Sequence, residues 1–209
     1  MRILITAGPT REYIDPVRFI SNASTGKMGY GCAIAAARRG HEVILISGPV
    51  ALARPRGVKF ISVVGSGQMS RAVNQYYPNC DCVIMTAAVC DYRPMRYRPC
   101  KIVKSKRDMV VKLRSTDDIL AGLGSNKGDK ILIGFAVQDR SARQSARCKM
   151  KAKNLDAIIL NGPAAFGADK SDVQILKRGG KWQVFDNISK TQLATIIVAL
   201  AQELADGGV

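Results

Sequence analysis

Apolar positions along the chain alternate between short continuous runs and segments in which they recur every three to four residues. Residues 2–7 (RILITA) form the first continuous run and end at Gly8-Pro9, which is typical of a buried parallel strand that enters a loop. From Gly26 the apolar positions take helical spacing, and Gly40 closes that segment. The chain is therefore predicted to begin with a strand, a long loop and a helix.

The same order of strands and helices repeats to the end of the chain. Further strands are predicted at 42–47, 58–64, 82–88, 130–137 and 156–160, and further helices at 68–76, 116–123, 141–153 and 189–205. Two last strands, 174–177 and 182–185, flank a Gly-Gly pair and indicate a C-terminal hairpin. Since such alternation requires right-handed crossovers, the pattern predicts an α/β fold, a Rossmann-like open, mostly parallel sheet with helices on both faces.

Residues 91–112 interrupt this alternation. The segment contains Pro94, Pro99, many basic residues and two short β-prone runs, around 102–103 and at 109–111. A long insertion in a compact domain is usually a functional loop. We therefore expect one domain over residues 1–209 that carries a β-flap insertion at 91–112.

The chain carries a strongly positive net charge, which favours anionic partners. Thirty-two Lys and Arg residues against 16 Asp and Glu give a net charge of +16, which attracts polyanions. Proteins that bind nucleic acids tend to gather basic residues along a groove with aromatic residues between them. Here the basic residues are spread from Arg2 to Lys190 and only 6% of residues are aromatic. A nucleic-acid-binding module and an enzyme for phosphorylated small molecules both remain open.

The cysteines and the first residues indicate in which cellular compartment the protein is expected. Six cysteines at irregular spacing do not form the framework of a secreted disulfide protein, so free thiols in a reducing compartment are expected. Residues 1–7 hold too few apolar positions for a signal peptide or a membrane span. We expect a cytoplasmic protein that does not bind a membrane. The pair Cys80 and Cys82 lacks a second pair, so no protein metal site is predicted.

The loop at residues 8–29 is the first candidate for a binding site. In an open α/β sheet, ligands bind beyond the carboxyl ends of the strands. This loop brings small residues, hydroxyls and an amide to the start of a helix, where free N–H groups and the helix dipole favour a phosphate. It matches neither the Walker P-loop nor G-x-G-x-x-G. The pattern alone leaves a phosphate site and a simple capping loop equally open, and the missing fingerprint counts against an NAD(P)-dependent reductase.

The exact order of residues in this loop is more informative about a family than its composition. Residues 14–29 (IDPVRFISNASTGKMG) resemble the signature of the phosphopantothenate-cysteine ligase family of the bacterial type. Later segments agree in the same order: 47–49 (SGP), 87–94 (AAVCDYRP), 101–104 (KIVK), 134–136 (GFA) and 149–156 (KMKAKNLD). The resemblance implies a ligase of coenzyme A biosynthesis that joins 4'-phosphopantothenate to L-cysteine. It would use CTP, form an acyl-cytidylate intermediate and release CMP and pyrophosphate.

The resemblance also implies roles for single residues. Asn22 matches the asparagine that acts on phosphopantothenate and on the acyl-nucleotide, and Arg18 and Gly26 lie in the same substrate-binding loop. Lys101 matches a lysine of the flap that reaches over the active site, so Asn22 and Lys101 are the predicted catalytic residues. The predicted nucleotide-binding residues are Met85, Thr86, Ala87, Asp91, Lys101, Asp117, Asp118, Ile119, Leu120, Phe135, Lys149 and Lys153.

Without the resemblance, several of these residues have ordinary structural explanations. Lys149 and Lys153 would belong to a solvated basic helix face, Phe135 to the core, and Asp118 to the first turn of a helix. The chemistry of the family favours the binding roles. A carboxylate that attacks an α-phosphate brings like charges together, so the site needs fixed cations and oriented donors.

The family implies a cofactor and partners as well. Mg²⁺ would bind with CTP, mainly on triphosphate oxygens, and no flavin is expected. In many bacteria the ligase is fused to a flavin-dependent phosphopantothenoylcysteine decarboxylase, so a fused or separate decarboxylase is an expected partner. The family also implies a homodimer in which the flap closes over the partner's site. Nucleic-acid binding would then be a side effect of the positive charge.

Overall fold

The computed structural model describes residues 1–106, 108–137, 141–162 and 167–207. In chain order the strands are β1 (Arg2–Ala7), β2 (Arg11–Tyr13), β3 (Phe19–Ser21), β4 (Glu42–Ser47), β5 (Lys59–Ser62), β6 (Cys82–Met85), β7 (Tyr92–Pro94), β8 (Leu113–Ser115), β9 (Ile131–Val137), β10 (Ala157–Asn161), β11 (Lys170–Lys177) and β12 (Trp182–Ser189). The helices are α1 (Lys27–Arg38), α2 (Ser66–Tyr76), α3 (Ile119–Ser125), α4 (Ala142–Ala152) and α5 (Lys190–Ala205).

Within these residues, eight strands form one sheet in the order β12-β11-β10-β9-β6-β1-β4-β5. Strands β5, β4, β1, β6, β9 and β10 are parallel, and β11 and β12 add an antiparallel hairpin at one edge. The chain passes from β1 to β4 and β5 on one side and then to β6 on the other. This reversal is the topological switch point at which open α/β sheets bind ligands. The predicted mostly parallel sheet with a C-terminal hairpin is confirmed.

Helices cover both faces of the sheet, as predicted. Successive residues of a strand point to opposite faces, so β1 contributes Ile3 and Ile5 to one apolar core and Leu4 to the other. The first core is closed by buried residues of α1 and α5, the second by buried residues of α2, α3 and α4. The two layers hold the carboxyl ends of β1, β6 and β9 in fixed positions.

Local signals placed the last helix correctly. Ser189 precedes α5, and its hydroxyl oxygen accepts from the N–H of Gln192 at 3.2 Å. The Gln192 side-chain oxygen accepts from the N–H of Ser189 at 3.3 Å, which completes the predicted capping box. The helix therefore begins at a position that its own sequence specifies.

Two short hairpins differ from the sequence-based picture. The loop at residues 8–29 contains the antiparallel pair β2 and β3, which is too short for a periodic pattern to show. The flap has its strands at its base, in β7 and β8, and the β-prone runs at 102–103 and 109–111 lie outside the described strands. Val103, Met109 and Val110 of those runs are exposed, so these side chains lack the packed surface on which β-propensity depends. Arg107 of the flap lies outside the described residues.

None of the described helices combines the length and the apolar character that crossing a membrane requires.

Candidate functional site at the carboxyl ends of the sheet

A cavity of about 520 Å³ lies over the carboxyl ends of β6 and β9. Met85 ends β6 and Phe135 lies near the end of β9, and both line the cavity together with the first turn of α1. The base of the flap, the start of α3, one side of α4 and the start of α5 complete its wall. The cavity therefore occupies the switch point of the sheet.

Glycines at the end of β1 and just before α1 allow the backbone of these two segments to pack closely beside the cavity. Gly8 and Gly26 have φ angles of 73° and 77°, a conformation that side chains disfavour, and a Cβ on Gly26 would lie 3.4 Å from the Cα of Gly8. Ser24 and Thr25 line the cavity just before the helix. Their hydroxyls and the first N–H groups of α1 form a surface suited to a phosphate.

Of these three glycines, Gly29 leaves the least room for a Cβ atom. A Cβ at Gly29 would lie 2.5 Å from Thr86 Oγ1 and 2.6 Å from the Cβ of Ala7. Thr86 cannot turn away freely, because its hydroxyl donates to the carbonyl of Thr6 at 2.7 Å. We expect Gly29→Ala to lower the free energy of unfolding by roughly 2–3 kcal/mol, measured by urea denaturation, as overpacked sites do.

The control for Gly29→Ala is Gly122→Ala. Gly122 lies exposed in α3, and a Cβ there meets no atom within 4 Å. Its replacement by alanine is expected to raise the free energy of unfolding by about 0.5–1 kcal/mol, because alanine favours helix. Equal effects at the two positions would show that the contacts of Gly29 with Thr86 and Ala7 are not tight.

Asn22 ties the loop before α1 to the segment that follows β6. Its Nδ2 group donates to the carbonyl oxygens of Ala88 at 3.1 Å and of Val89 at 3.0 Å. Ala88 and Val89 line the cavity, whereas Asn22 is not among the lining residues. In this structure the donors of Asn22 therefore hold two backbone carbonyls, and its predicted action on the substrate stays a prediction.

One end of the cavity carries an ordered group of charges. Asp118 caps α3 by accepting from the N–H of Ala121 at 3.0 Å, and its other oxygen pairs with Lys153 Nζ at 2.5 Å. Lys149 lies one turn earlier on α4 and donates to the carbonyl of Phe135 at 2.8 Å. These contacts fix two ammonium groups beside the end of β9.

The charges at this end shift the pKa values of their groups. Burial lowers the pKa of Lys149, and the neighbouring ammonium of Lys153 lowers it further, against the opposing carboxylates of Asp118 and Asp91. Burial alone would raise the pKa of Asp118, but its bonds with Lys153 and Ala121 outweigh burial and lower it. Asp118 therefore forms its ion pair with Lys153, whereas the direct bond of Lys149 is to a neutral carbonyl, so its ammonium can attract an anion in the cavity.

The structure brings together most of the residues predicted to bind nucleotide. All of them except Lys101 line this one cavity, and so does Gly26. Arg18 and Lys101 are not among the lining residues. Arg18 pairs with Asp15 at 2.5 Å, and Lys101 is exposed in the flap.

Sequence reasoning missed two lysines of the opposite end. Lys27 and Lys190 are the first residues of α1 and α5 and both line the cavity. Lys27 pairs with Asp169 at 2.6 Å, and burial and the nearby charge of Lys27 lower the pKa of Lys190, with Asp169 opposing. Lys27 could have been chosen because it lies in the conspicuous loop motif. No local pattern shows that the start of the last helix faces the same cavity.

Comparison with known proteins places the chain in a family. Residues 1–204 match the family described as DNA/pantothenate metabolism flavoprotein C-terminal domain. The coenzyme A biosynthesis bifunctional protein CoaBC of Bacillus subtilis (strain 168) is 45% identical over 208 residues, which cover 97% of this chain and 50% of that protein. A cysteine/cysteine sulfinic acid decarboxylase of an unknown prokaryotic organism is 40% identical over 204 residues, which cover 94% of this chain and 56% of that protein.

A solved structure agrees with these relatives. The crystal structure of the C-terminal domain of coenzyme A biosynthesis bifunctional protein CoaBC superposes with a TM-score of 0.85 at 41% identity and covers 98% of this chain and 96% of that one. The chain spans about half the length of the curated relatives it matches. The chain belongs to the family of the DNA/pantothenate metabolism flavoprotein C-terminal domain, as its loop motifs indicated.

Proposed function

We propose that this chain is a phosphopantothenate-cysteine ligase of coenzyme A biosynthesis. The observation that carries the proposal is that the predicted nucleotide-binding residues other than Lys101, which come from distant parts of the sequence, converge on one cavity at the switch point of the sheet. Membership of a pantothenate-metabolism family and identity to coenzyme A biosynthesis proteins support it. The substrates are 4'-phosphopantothenate, CTP and L-cysteine.

The reaction has two steps. The carboxylate of phosphopantothenate attacks the α-phosphate of CTP, which forms an acyl-cytidylate and releases pyrophosphate. The amine of cysteine then attacks the activated carbonyl, an amide forms, and CMP leaves with the bonding electrons of the acyl–oxygen bond. Both steps gather negative charge, so the protein's contribution is fixed cations and oriented donors.

The cavity supplies such groups at both ends. Lys149 and Lys153 stand at the end of β9, and Lys27 and Lys190 stand at the starts of α1 and α5. We assign the nucleotide to the Lys149 end, because Phe135 and Asp118 are fixed there by contacts with the same lysines. Lys101 would reach the reacting phosphate from the flap.

A magnesium ion fits this donor set only as a partner of the triphosphate. No group of three or more His, Cys, Asp or Glu side chains able to hold a metal lies among the residues that the structure describes. Asp91 and Asp117 line the cavity and offer the oxygen ligands that Mg²⁺ prefers. The bound ion would neutralise charge on the triphosphate oxygens, and we expect most of its ligands to come from the nucleotide and water.

A reaction partner follows from the product. Phosphopantothenoylcysteine carries a free carboxylate, and the curated relatives are about twice the length of this chain. We propose that a phosphopantothenoylcysteine decarboxylase, fused or separate, consumes the product in the cytoplasm.

We also propose a homodimer that uses the flap. Six of the 13 large hydrophobic side chains that are exposed in the described part of the chain belong to residues 91–112. Val103 and Val110 are each 86% exposed, and such a patch marks a protein contact. We expect sedimentation at twice the mass of one chain and a shift to the monomer in the double variant Val103→Asp/Val110→Asp.

The control for the dimer is Val184→Asp, which adds a charge at a 50% exposed position of β12 outside the flap. It should leave the sedimentation coefficient unchanged. A monomeric wild-type chain, or dissociation by Val184→Asp alone, would contradict a dimer formed through the flap.

The activity is tested by comparing pyrophosphate release with CTP and with ATP, each with and without cysteine. With CTP, phosphopantothenate and Mg²⁺ alone, we expect one equivalent of pyrophosphate per site, and addition of cysteine should give continuous turnover with CMP as product. Absence of pyrophosphate release from folded protein would reject the ligase. Release of CO₂ from cysteine without pyrophosphate would assign the activity named for the decarboxylase relative instead.

A further inference from the structure

Asp15 is a fully buried carboxylate in the turn between β2 and β3, outside the cavity. Its Oδ1 accepts from the N–H groups of Val17 at 2.8 Å and Arg18 at 2.7 Å. Its Oδ2 accepts from the Arg18 guanidinium at 2.5 Å and from the N–H of Ile102 at 3.0 Å. Oδ1 therefore bonds within the turn, and Oδ2 bonds to the backbone of the flap.

The contact with the flap is double at Ile102. Arg18 Nη1 also donates to the carbonyl oxygen of Ile102 at 3.1 Å, so the Asp15 and Arg18 pair holds both backbone polar groups of that residue. A second backbone bond runs from the N–H of Arg98 to the carbonyl of Ile14 at 2.9 Å. The turn between β2 and β3 therefore binds the flap at 98 and at 102.

The contact between Asp15 and Ile102 is polar. Val103, the next residue, is 86% exposed, so burial of its side chain adds little to holding the flap there. Burial alone would raise the pKa of Asp15, but bonds from Ile102, Arg18 and Val17 outweigh it and hold its pKa well below the usual range. The carboxylate is charged at neutral pH, and hydrogen bonds to charged groups are the strong ones.

We propose that Asp15 is a positioning residue: with Arg18 it latches the flap backbone at Ile102 and thereby sets Lys101, the adjacent residue, for the reaction. The latch is a property of the fold alone. Its effect on turnover rests on the proposed function, in which Lys101 acts on the reacting phosphate.

Asp15→Asn is the matched variant, because an amide can keep Oδ1 toward the turn and replaces only the second oxygen. The new NH₂ group then faces the N–H of Ile102 and the Arg18 guanidinium, donor against donor. We expect amide hydrogen exchange at Ile102 to accelerate by about tenfold or more, with faster tryptic cleavage after Lys101. Unchanged exchange at Ile102 in a folded variant would overturn the latch.

The control for this experiment is Asp172→Asn. Asp172 also accepts from a backbone N–H, that of Asn187 at 2.8 Å, but in the hairpin of β11 and β12. It should leave exchange at Ile102 at the wild-type rate. If Asp15→Asn fails to fold, Ile102→Pro removes the same donor from the flap side, and Val103→Pro controls for proline itself. Because trypsin does not cleave a Lys–Pro bond, cleavage is followed after Lys104. The latch then requires faster cleavage there in Ile102→Pro than in Val103→Pro, and equal rates would overturn it.

Kinetics test whether the latch acts through Lys101. We expect Asp15→Asn to lower kcat by about tenfold, with little change of KM for the nucleotide. In a chain that already carries Lys101→Ala, the further loss caused by Asp15→Asn should disappear. Additive losses would overturn the positioning role. Hydrogen exchange and proteolysis need no substrate, so they test the latch even if the chain proves not to be a ligase.

Discussion

Replacing Asn22 by aspartate is expected to lower the rate of amide formation by about a thousandfold, while pyrophosphate release falls by less than about tenfold. The change is isosteric, but it puts a carboxylate oxygen where Nδ2 now donates to the carbonyls of Ala88 and Val89. We expect the repulsion to move the loop before α1 away from Ala88 and Val89, which line the cavity. The end of the cavity that we propose for the nucleotide is held separately by Asp118, Lys149 and Lys153.

The measurement is a comparison of two assays on the same variant, pyrophosphate release without cysteine and amide product with cysteine. Asn74→Asp, which adds the same charge at an exposed position of α2, serves as the control and should affect neither assay. Equal losses in both half-reactions would show that Asn22 only holds the segment after β6, and its predicted role in the second step would then be wrong.

The elements of the fold were predictable because their signals are local. β1 is a run of apolar residues that ends at a glycine, and α5 begins at a capping box whose partners are three residues apart. Burial on two faces makes parallel strands apolar throughout, so their pattern is plain. The strands β2, β3, β7 and β8 have three residues each, and no periodic pattern can be read over so short a length.

The cavity could be predicted only through the family motifs. Nothing in the spacing of Asp118 and Lys153 shows that they pair, since the contact depends on how α3 and α4 pack at the end of β9. By composition Lys149 belonged to a solvated helix face, yet its ammonium is turned inward to the carbonyl of Phe135. The family motifs assigned these lysines to the site, whereas helical periodicity assigned them to a solvated face.

Asp15 shows the same limit within a single side chain. An aspartate before a proline is a common turn residue, and its Oδ1 does make the turn contacts that this explanation requires. Its Oδ2 bonds to Ile102, 87 positions further along the chain. The local sequence can therefore account for the contacts of Oδ1, whereas the contact of Oδ2 depends on the folded chain.

Replacing Lys149 by methionine is expected to weaken nucleotide binding by about a hundredfold, without lowering the stability of the chain at neutral pH. Methionine keeps the apolar stem but removes a charge that burial disfavours. Because burial and Lys153 lower the pKa of Lys149, the folded chain holds this proton less tightly than the unfolded chain does. The charge therefore costs stability below the lowered pKa, and that cost is relieved as pH rises toward the ordinary value for lysine.

Deprotonation of Lys149 also determines how nucleotide binding depends on pH. Wild-type affinity for the nucleotide should fall as pH rises through the pKa of Lys149, since the neutral amine no longer attracts the triphosphate, and Lys149→Met should lose this slope. Calorimetric titration across the alkaline range measures both. Lys151→Met, at an exposed position of the same helix, is the control and should keep wild-type affinity and slope. Equal effects at 149 and 151 would mean that the nucleotide responds to the general charge of α4, and the assignment of its site to the end of β9 would fail.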